Sequence, residues 1–284
     1  MQTRQGTISV VIPARGPCPY ISYTLDSLIL SEIPPIEIII VDDGISQDAV
    51  IKIESYRTLL PIVLKANNGS GIVDALNTGI QTATGEFIAR IDSDDNILPG
   101  RFKTQLNYLS QDRSISVVGS NAFYIDELGK VTGKSNYPIG LLNENPKFQV
   151  ECLISHPSTM FRTENALRIG GYRKLFKWKK IQVAEDFDFW HRIAKTGKIL
   201  VIPDPLIEYR QHASQISRSN VRGQLVGTLY IAAIHKLKIK NNEELVIENI
   251  LSFQSIKLIL TIRKGLGNKH AIRAIGHLVK SIKD

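Results

Sequence analysis

Cysteine is scarce: Cys18 and Cys152 are the only two in 284 residues, far apart and in no CxxC pairing. That excludes a cysteine-based zinc site and a disulfide framework, and it suits a reducing compartment. Long apolar runs are missing too. A spanning helix needs about 18 or more consecutive apolar residues, and the best stretch, 245–262, is interrupted by Glu248, Gln254 and Lys257. The opening MQTRQGTISVVIP holds one short apolar run and no signal-peptide cleavage pattern. A cytoplasmic protein is expected, soluble or resting on the inner face of the cell membrane without crossing it. Internal repeats and low-complexity tracts are absent as well. What remains, 43% hydrophobic and 22% charged residues, is the composition of a packed globular chain of one or two domains.

The net charge of +8 is unevenly placed. Residues 249–284 contain seven Lys or Arg and one acid, which leaves only +2 for the preceding 248 residues. Basicity is therefore a property of the tail. There Ile272, Ile275, Val279 and Ile282 recur at helical spacing, with Arg273, Lys280 and Lys283 off that stripe and Lys257, Arg263, Lys264 and Lys269 upstream. A basic amphipathic helix suits the interface of an anionic membrane. The same pattern also suits packing on the rest of the chain or on a second subunit.

Over the first hundred residues, short β-branched runs at 8–12, 36–41, 62–65 and 87–91 alternate with helical patterns at 20–31, 48–57 and 72–83. In the last of these Ile72, Ala75, Leu76, Ile80 and Ala83 share one face. The run IEIIIV is too continuously apolar for a half-exposed sheet and fits a parallel strand covered on both sides. An α/β fold follows. Beyond Asp95 the rhythm changes. It predicts a helix at 99–110, antiparallel strands with a hairpin near 127–130, a helix at 144–153 and a strand at 159–162. A helix at 186–195, strands at 198–202 and 206–211, and a purely helical region from about Ser219 follow.

Acids sit where strands end. Asp42-Asp43-Gly44 follows IEIIIV, and Asp92-Ser93-Asp94-Asp95 follows FIARI. Ligands of open α/β sheets bind outside the carboxyl ends of the strands, so two acidic clusters point to one crevice. A D-x-D turn suits Mg²⁺ or Mn²⁺, which take one or two carboxylates plus the oxygens of a bound diphosphate. The alternative is an Asx turn that caps the helix opening near Pro99. Asp186, in Glu185-Asp186-Phe187-Asp188, stands at a helix start, as a helix-dipole partner or as a general base. His212 follows a short strand, and neither it nor His156 has a strong claim as a metal ligand on residue type alone.

SVVIPARG, EIIIVDDG, GIVDALNTGIQTATGEFIARIDSDDNILPGRFKTQ, HPSTMFR, GGY, AEDFDFWHR and YRQH occur in an order that resembles family 2 glycosyltransferases of the GT-A fold. The likeness runs from about Ile8 to His212 and is most specific at 85–105, where the acidic turn joins a P-x-R-x-x-x-Q helix. It implies a Rossmann-like nucleotide-binding sheet with a mixed, antiparallel second half, followed by a C-terminal helical extension. The catalytic domain would be 1–217 and the basic helical region 218–284. It also implies a divalent metal, Mn²⁺ or Mg²⁺, and a nucleotide-sugar donor, with a UDP-sugar preferred. The acceptor would be a glycan or lipid-linked molecule of bacterial surface polysaccharide assembly.

By the same resemblance Asp43 contacts the nucleotide base, with Pro13 and Ala14 as the other wall of its pocket. Gly71, Asp92 and Ser93 belong to the donor site, with Asp92 nearer the ribose. Asp94, with Asp92 and His212, is implied at the metal, and Asp186 as the base of an inverting reaction. The chain departs from the family at Ala14-Arg15-Gly16-Pro17 and at Gly69, and it lacks the QxxRW motif of processive synthases, which implies transfer of a single sugar. Three rivals carry less. A sugar-nucleotide pyrophosphorylase would need a G-x-G-T-R-type loop after the first strand, which is missing. A nucleic-acid-binding module would need a reading motif beside its basic charge. An inactive scaffold would not need Asp92, Asp94 and Asp186 intact.

Overall fold

The computed structural model describes residues 4–178, 181–213, 215, 221–236, 245–246, 263–264, 267, 270–272 and 274. The chain divides into two compact units. The first takes Met1–Glu144, Leu153–Gly171 and Arg192–His212; the second takes Asn145–Cys152, Tyr172–His191 and Ala213–Asp284. The division follows space, not chain order, so two segments before residue 217 group with the tail.

The first unit opens with the expected alternation. It runs β1 (Arg4–Gly16), α1 (Ile21–Ile29), β2 (Glu37–Ile45), α2 (Gln47–Ser55), β3 (Ile62–Ala66), α3 (Ile72–Thr82) and β4 (Gly85–Arg90). β1 to β4 are parallel neighbours, in the order β3-β2-β1-β4. Ile38, Ile39, Ile40 and Val41 of β2 are all 0% exposed, so both faces of the strand are covered. Each such aliphatic side chain contributes about 1.5–3 kcal/mol of burial. Helix α3 lies close on the sheet. A Cβ on Gly79 would come within 2.3 Å of Val11 Cγ1, so only glycine allows that approach. Helix α2 starts where the Ser46 hydroxyl accepts from the Ala49 N–H at 3.2 Å.

The second half of the sheet is mixed. It contains β5 (Asn96–Ile97), β6 (Ile115–Ile125), β7 (Val131–Lys134), β8 (Gly140–Leu141), β9 (Met160–Arg162) and β12 (Lys198–Arg210), with helices α4 (Arg101–Gln111) and α5 (Thr163–Arg168). The order continues β4-β9-β6-β12-β5, with β9 antiparallel to β4 and β6, and β6 parallel to β12. The predicted hairpin is present, with β7 antiparallel to β6.

Three expectations are corrected. The helix at 144–153 is instead a pair of 3₁₀ turns, Leu142–Glu144 and Pro146–Gln149. Pro146 lacks an N–H, and the Asn145 side chain caps a single turn by accepting from the Lys147 N–H. The strands at 198–202 and 206–211 are one strand, β12, whose register shifts around Pro205 absorb the prolines without ending the pairing. The region after Ser219 is not purely helical, because β13 (Leu245–Val246) pairs with β10 (Phe176–Trp178) in parallel.

The second unit also holds β11 (Ile181–Gln182), α6 (Glu185–Ile193) and α7 (Val221–Lys236). Helix α7 is apolar on most sides, and Val226, Leu229, Tyr230, Ile231, Ala232 and Ala233 are buried. They form one core with Phe187 of α6 and with Ala271 and Ile272 of the tail. Of the tail's expected stripe, Ile272 thus packs inside its own unit, while Ile275, Val279 and Ile282 lie outside the described residues, as do Arg273, Lys280, Lys283, Lys257 and Lys269. Among the described residues no helix is long and apolar enough to cross a membrane.

Candidate active site

Pairing of β1 with β2 sets Pro13 beside Val41 and Ala14 beside Asp42, so the two strands end together. Asp42 serves the local turn, since its Oδ1 accepts from the N–H groups of Gly44 and Ile45, both at 2.8 Å. Asp43 reaches across to the start of α3. Its Oδ1 accepts from Asn67 Nδ2 at 2.7 Å and from the Gly71 N–H at 3.0 Å, and its Oδ2 lies 3.1 Å from the same N–H. Gly71 adopts φ 86°, which favours glycine, and aims that N–H at the carboxylate. A negative group at a helix N-terminus is electrostatically favoured. Exposed Arg15 stands beside it, with Nη1 3.7 Å from Asp43 Oδ2. Nearby, Cys18 adopts a left-handed φ of 42° and its thiol donates to the Arg15 carbonyl. Burial pushes that thiol above its ordinary range, and its hydrogen bond with the Ser93 side chain works the other way.

The turn after β4 has a different character. Ligand-type oxygens of Asp92, Asp94 and Asp95 lie within 4.8 Å of one another. Arg90, 4% exposed, grips both oxygens of Asp92, with Nη1 at 2.8 Å from Oδ2 and Nη2 on Oδ1. His212 Nε2 stands 2.8 Å from Asp94 Oδ2. Asp95 is fully buried, and its Oδ2 has no hydrogen-bond partner. Burial first, then the charges of Asp94 and Asp92, push its carboxyl well above the ordinary range. The alternative role as a helix cap does not hold. Helix α4 starts behind Gly100 without a side-chain cap, so neither Asp94 nor Asp95 serves it. Crowded hard oxygens, one of them buried without a partner, are a donor set that fits a divalent cation.

Two further elements brace this turn. β5, immediately after it, pairs antiparallel with β12, and Asn96 Nδ2 donates to Glu208 Oε2 at 2.9 Å. That pairing brings His212 to Asp94 across 118 residues. The P-x-R-x-x-x-Q helix works from below. Arg101 Nη2 donates to the carbonyls of Arg90 and Thr159, and Gln105 Nε2 donates to those of Val118 and Ser158. These bonds tie the ends of β4, β9 and β6 together. Arg101 is so deeply buried that its pKa falls to about 9.

Asp186 lies in the second unit, second residue of α6. Its Oδ1 accepts from the Phe187 N–H at 2.8 Å, and the Cys152 thiol lies 3.7 Å from Oδ2. Ala184, just ahead of the helix, holds a left-handed φ of 58°, a conformation costing of order 1 kcal/mol for a residue with a Cβ. Asp188, two residues on, is buried and paired with Arg173 and His235, which accounts for it structurally. Residue type alone pointed to neither Arg90, Asn67 nor Cys152, because each matters through a contact distant in the chain or local to a turn. The acidic turn Asp92-Ser93-Asp94-Asp95 was the signal for Asp95.

A parallel sheet that turns mixed after its fourth strand, with carboxylates at the ends of β2 and β4, defines a glycosyltransferase of the GT-A fold. The chain belongs to glycosyl transferase family 2, whose family model matches residues 9–170, more than half its length. A glycosyltransferase of Haemophilus influenzae is 28% identical over 220 residues, 74% of this chain and 67% of that one. The amylovoran biosynthesis glycosyltransferase AmsE of Erwinia amylovora is 26% identical over 197 residues, 68% of this chain and 71% of AmsE. In structure the chain is similar to S. aureus TarS 1–349 in complex with UDP-GlcNAc. The TM-score is 0.65 at 19% identity, over 84% of this chain and 68% of that one.

Proposed function

We propose that the enzyme moves a single sugar from a uridine diphosphate donor to an acceptor hydroxyl, inverting the anomeric carbon. The observation that carries this reading is the three-carboxylate turn of Asp92, Asp94 and Asp95, closed on one side by His212. The similar TarS was crystallised with UDP-GlcNAc and with UDP, which supports a UDP-sugar, and AmsE is named for amylovoran biosynthesis, which supports a biosynthetic acceptor. A lipid-linked acceptor would bring the enzyme to the inner face of the membrane. Of the tail stripe, Ile272 is buried in the core of its own unit.

In this reading Pro13 and Ala14 form one wall for the base, and Asp43 accepts its imide N–H. Asp43 can do so because two carboxylate oxygens offer about four acceptor positions, and Oδ2 meets only the Gly71 N–H and the more distant Arg15. Asp92 lies towards the ribose, and its pairing with Arg90 orients it. Asp94 and His212, with Asp92, would hold Mn²⁺ or Mg²⁺. Such an ion supplies Lewis-acid neutralisation of a diphosphate. Asp186 takes the proton of the acceptor hydroxyl, an effect worth about 10²–10⁴-fold. A screen of nucleotide-sugars with Mn²⁺ or Mg²⁺, scored by released nucleotide, tests the proposal. UDP release from one UDP-sugar is expected. Release of pyrophosphate, or no release from any uridine donor, would overturn it.

A further inference from the structure

The geometry points to Arg210, beyond the residues already assigned, as a positioning residue that holds the acidic turn in the shape a cation needs; this rests on reading that turn as a cation site. Arg210 is 1% exposed, yet it lies at the end of β12 among residues that reach the site. Its main-chain N–H donates to Asp95 Oδ1 at 2.9 Å, and its Nε donates to the Asp94 carbonyl at 3.0 Å. One residue thus grips both members of the acidic pair, one through its backbone and the other through its side chain. Nη1 donates to the carbonyls of Asp126 and Glu127, at 3.1 and 3.3 Å, in the turn between β6 and β7. The guanidinium carbon sits 4.8 Å from the ring centre of Tyr20 and 5.1 Å from that of Tyr23 on α1. Two residues further on, His212 meets Asp94, and its ring lies 5.3 Å from that of Tyr20.

Position and chemistry separate Arg210 from Arg101. Arg101 hydrogen-bonds the carbonyls of Arg90 and Thr159 and the Gln105 side chain, and it meets the acidic turn only through its charge, which acts on Asp95. Arg210 binds the turn itself and joins it to α1 and to the β6–β7 turn. A carbonyl that accepts from a fixed guanidinium cannot swing, so the Asp94 side chain starts from a set backbone. The adjacent positive charge also offsets the mutual repulsion of three acids before any cation arrives. A lysine would keep the charge but lose the planar fork that serves several carbonyls at once. Outer partners of metal ligands typically change affinity by about 10–100-fold when removed.

The test is direct titration of the full chain with Mn²⁺ in the presence of UDP, followed by electron paramagnetic resonance, on wild type, Asp94→Ala and Arg210→Lys. Wild type is expected to bind and Asp94→Ala to lose binding. Arg210→Lys is expected to bind at least about tenfold more weakly, with unchanged circular dichroism and with activity recovered at high Mn²⁺. No binding by wild type would remove the cation site itself. Binding by wild type with equal affinity in folded Arg210→Lys would overturn the positioning role and leave the site standing. If Arg210→Lys does not fold, Tyr20→Leu replaces it. Loss of one aromatic face should weaken Mn²⁺ about two- to fivefold, and unchanged affinity there also overturns the proposal.

Discussion

β2 and β4 flank the same central strand, β1, and both end in consecutive acids, but the protein treats the two ends in opposite ways. At β2 the carboxylates meet amides: Asp42 accepts from the main-chain N–H groups of Gly44 and Ile45, and Asp43 from the Gly71 N–H and the Asn67 side-chain amide, with exposed Arg15 further off. At β4 they meet one another and distant side chains: Asp92 faces the Arg90 guanidinium, Asp94 faces the His212 imidazole, and Asp95 keeps a buried oxygen without a hydrogen bond among the described residues. Amide N–H groups are fixed by the fold, so acids satisfied by them set shape. Acids crowded together repel one another's charge, as the raised Asp95 carboxyl records, and a divalent ion relieves that repulsion.

The largest effect should come from removing an acid on the crowded side. Asp94→Ala is expected to lower transfer by about 10³-fold or more, since the charge stabilisation at stake is worth several kcal/mol. The melting temperature should hold, because the turn keeps its Arg210 and Arg90 contacts. Full activity in EDTA, or normal turnover of the variant, would abolish the contrast between the two ends. Next is Asp186, whose carboxylate partners include the Phe187 amide and the Cys152 thiol. Asp186→Asn should cut kcat by at least about 10²-fold with UDP affinity little changed, as expected for loss of a general base. A large loss of UDP binding instead would make it a binding residue.

Much of this contrast was legible in the sequence. Continuous β-branched runs marked β1 to β4 because buried parallel strands need apolar residues on both faces, and the acids at their ends followed. What the two acidic turns do with their charge was not legible, because it depends on partners far away in the chain. Asn67 lies 24 residues from Asp43, and His212 lies 118 from Asp94. β5 is two residues long, too short for any periodicity, although it carries the pairing that brings β12 to the site. The P-x-R-x-x-x-Q helix was visible as a motif, but its work on the carbonyls of Arg90, Val118, Ser158 and Thr159 appears only when the strands are assembled.

Asp43 is where the contrast can be broken. It takes main-chain partners like a shape-setting acid, and it is also the residue proposed to read the base. Asp43→Ala should weaken UDP by about 1–3 kcal/mol, the usual cost of a lost charged hydrogen bond. Because the same change frees the Gly71 N–H and Asn67, a lower melting temperature should accompany it. A drop in stability with unchanged UDP affinity would assign Asp43 wholly to shape.

The smallest expected effect concerns a cationic group that the β4 end keeps uncharged. His156 is buried, and burial, reinforced by the positive charge of Arg90, holds its pKa well below the ordinary 6.5. In the unfolded chain the imidazole takes up a proton as pH falls through about 6.5, whereas in the folded chain it does not. The unfolded state then binds more protons, so stability rises with pH across this window and is lost on acidification. The slope from one such group is at most about 1.4 kcal/mol per pH unit, running from 6.5 down to the depressed folded value. Above pH 7 both states hold it neutral and it contributes no pH dependence. His156→Gln keeps a polar side chain that cannot take the proton. Urea unfolding of wild type and variant at steps between pH 7.5 and 5 should therefore show wild type losing stability relative to the variant as pH falls. If the two curves run parallel throughout, His156 titrates alike in both states, and burial does not hold it neutral.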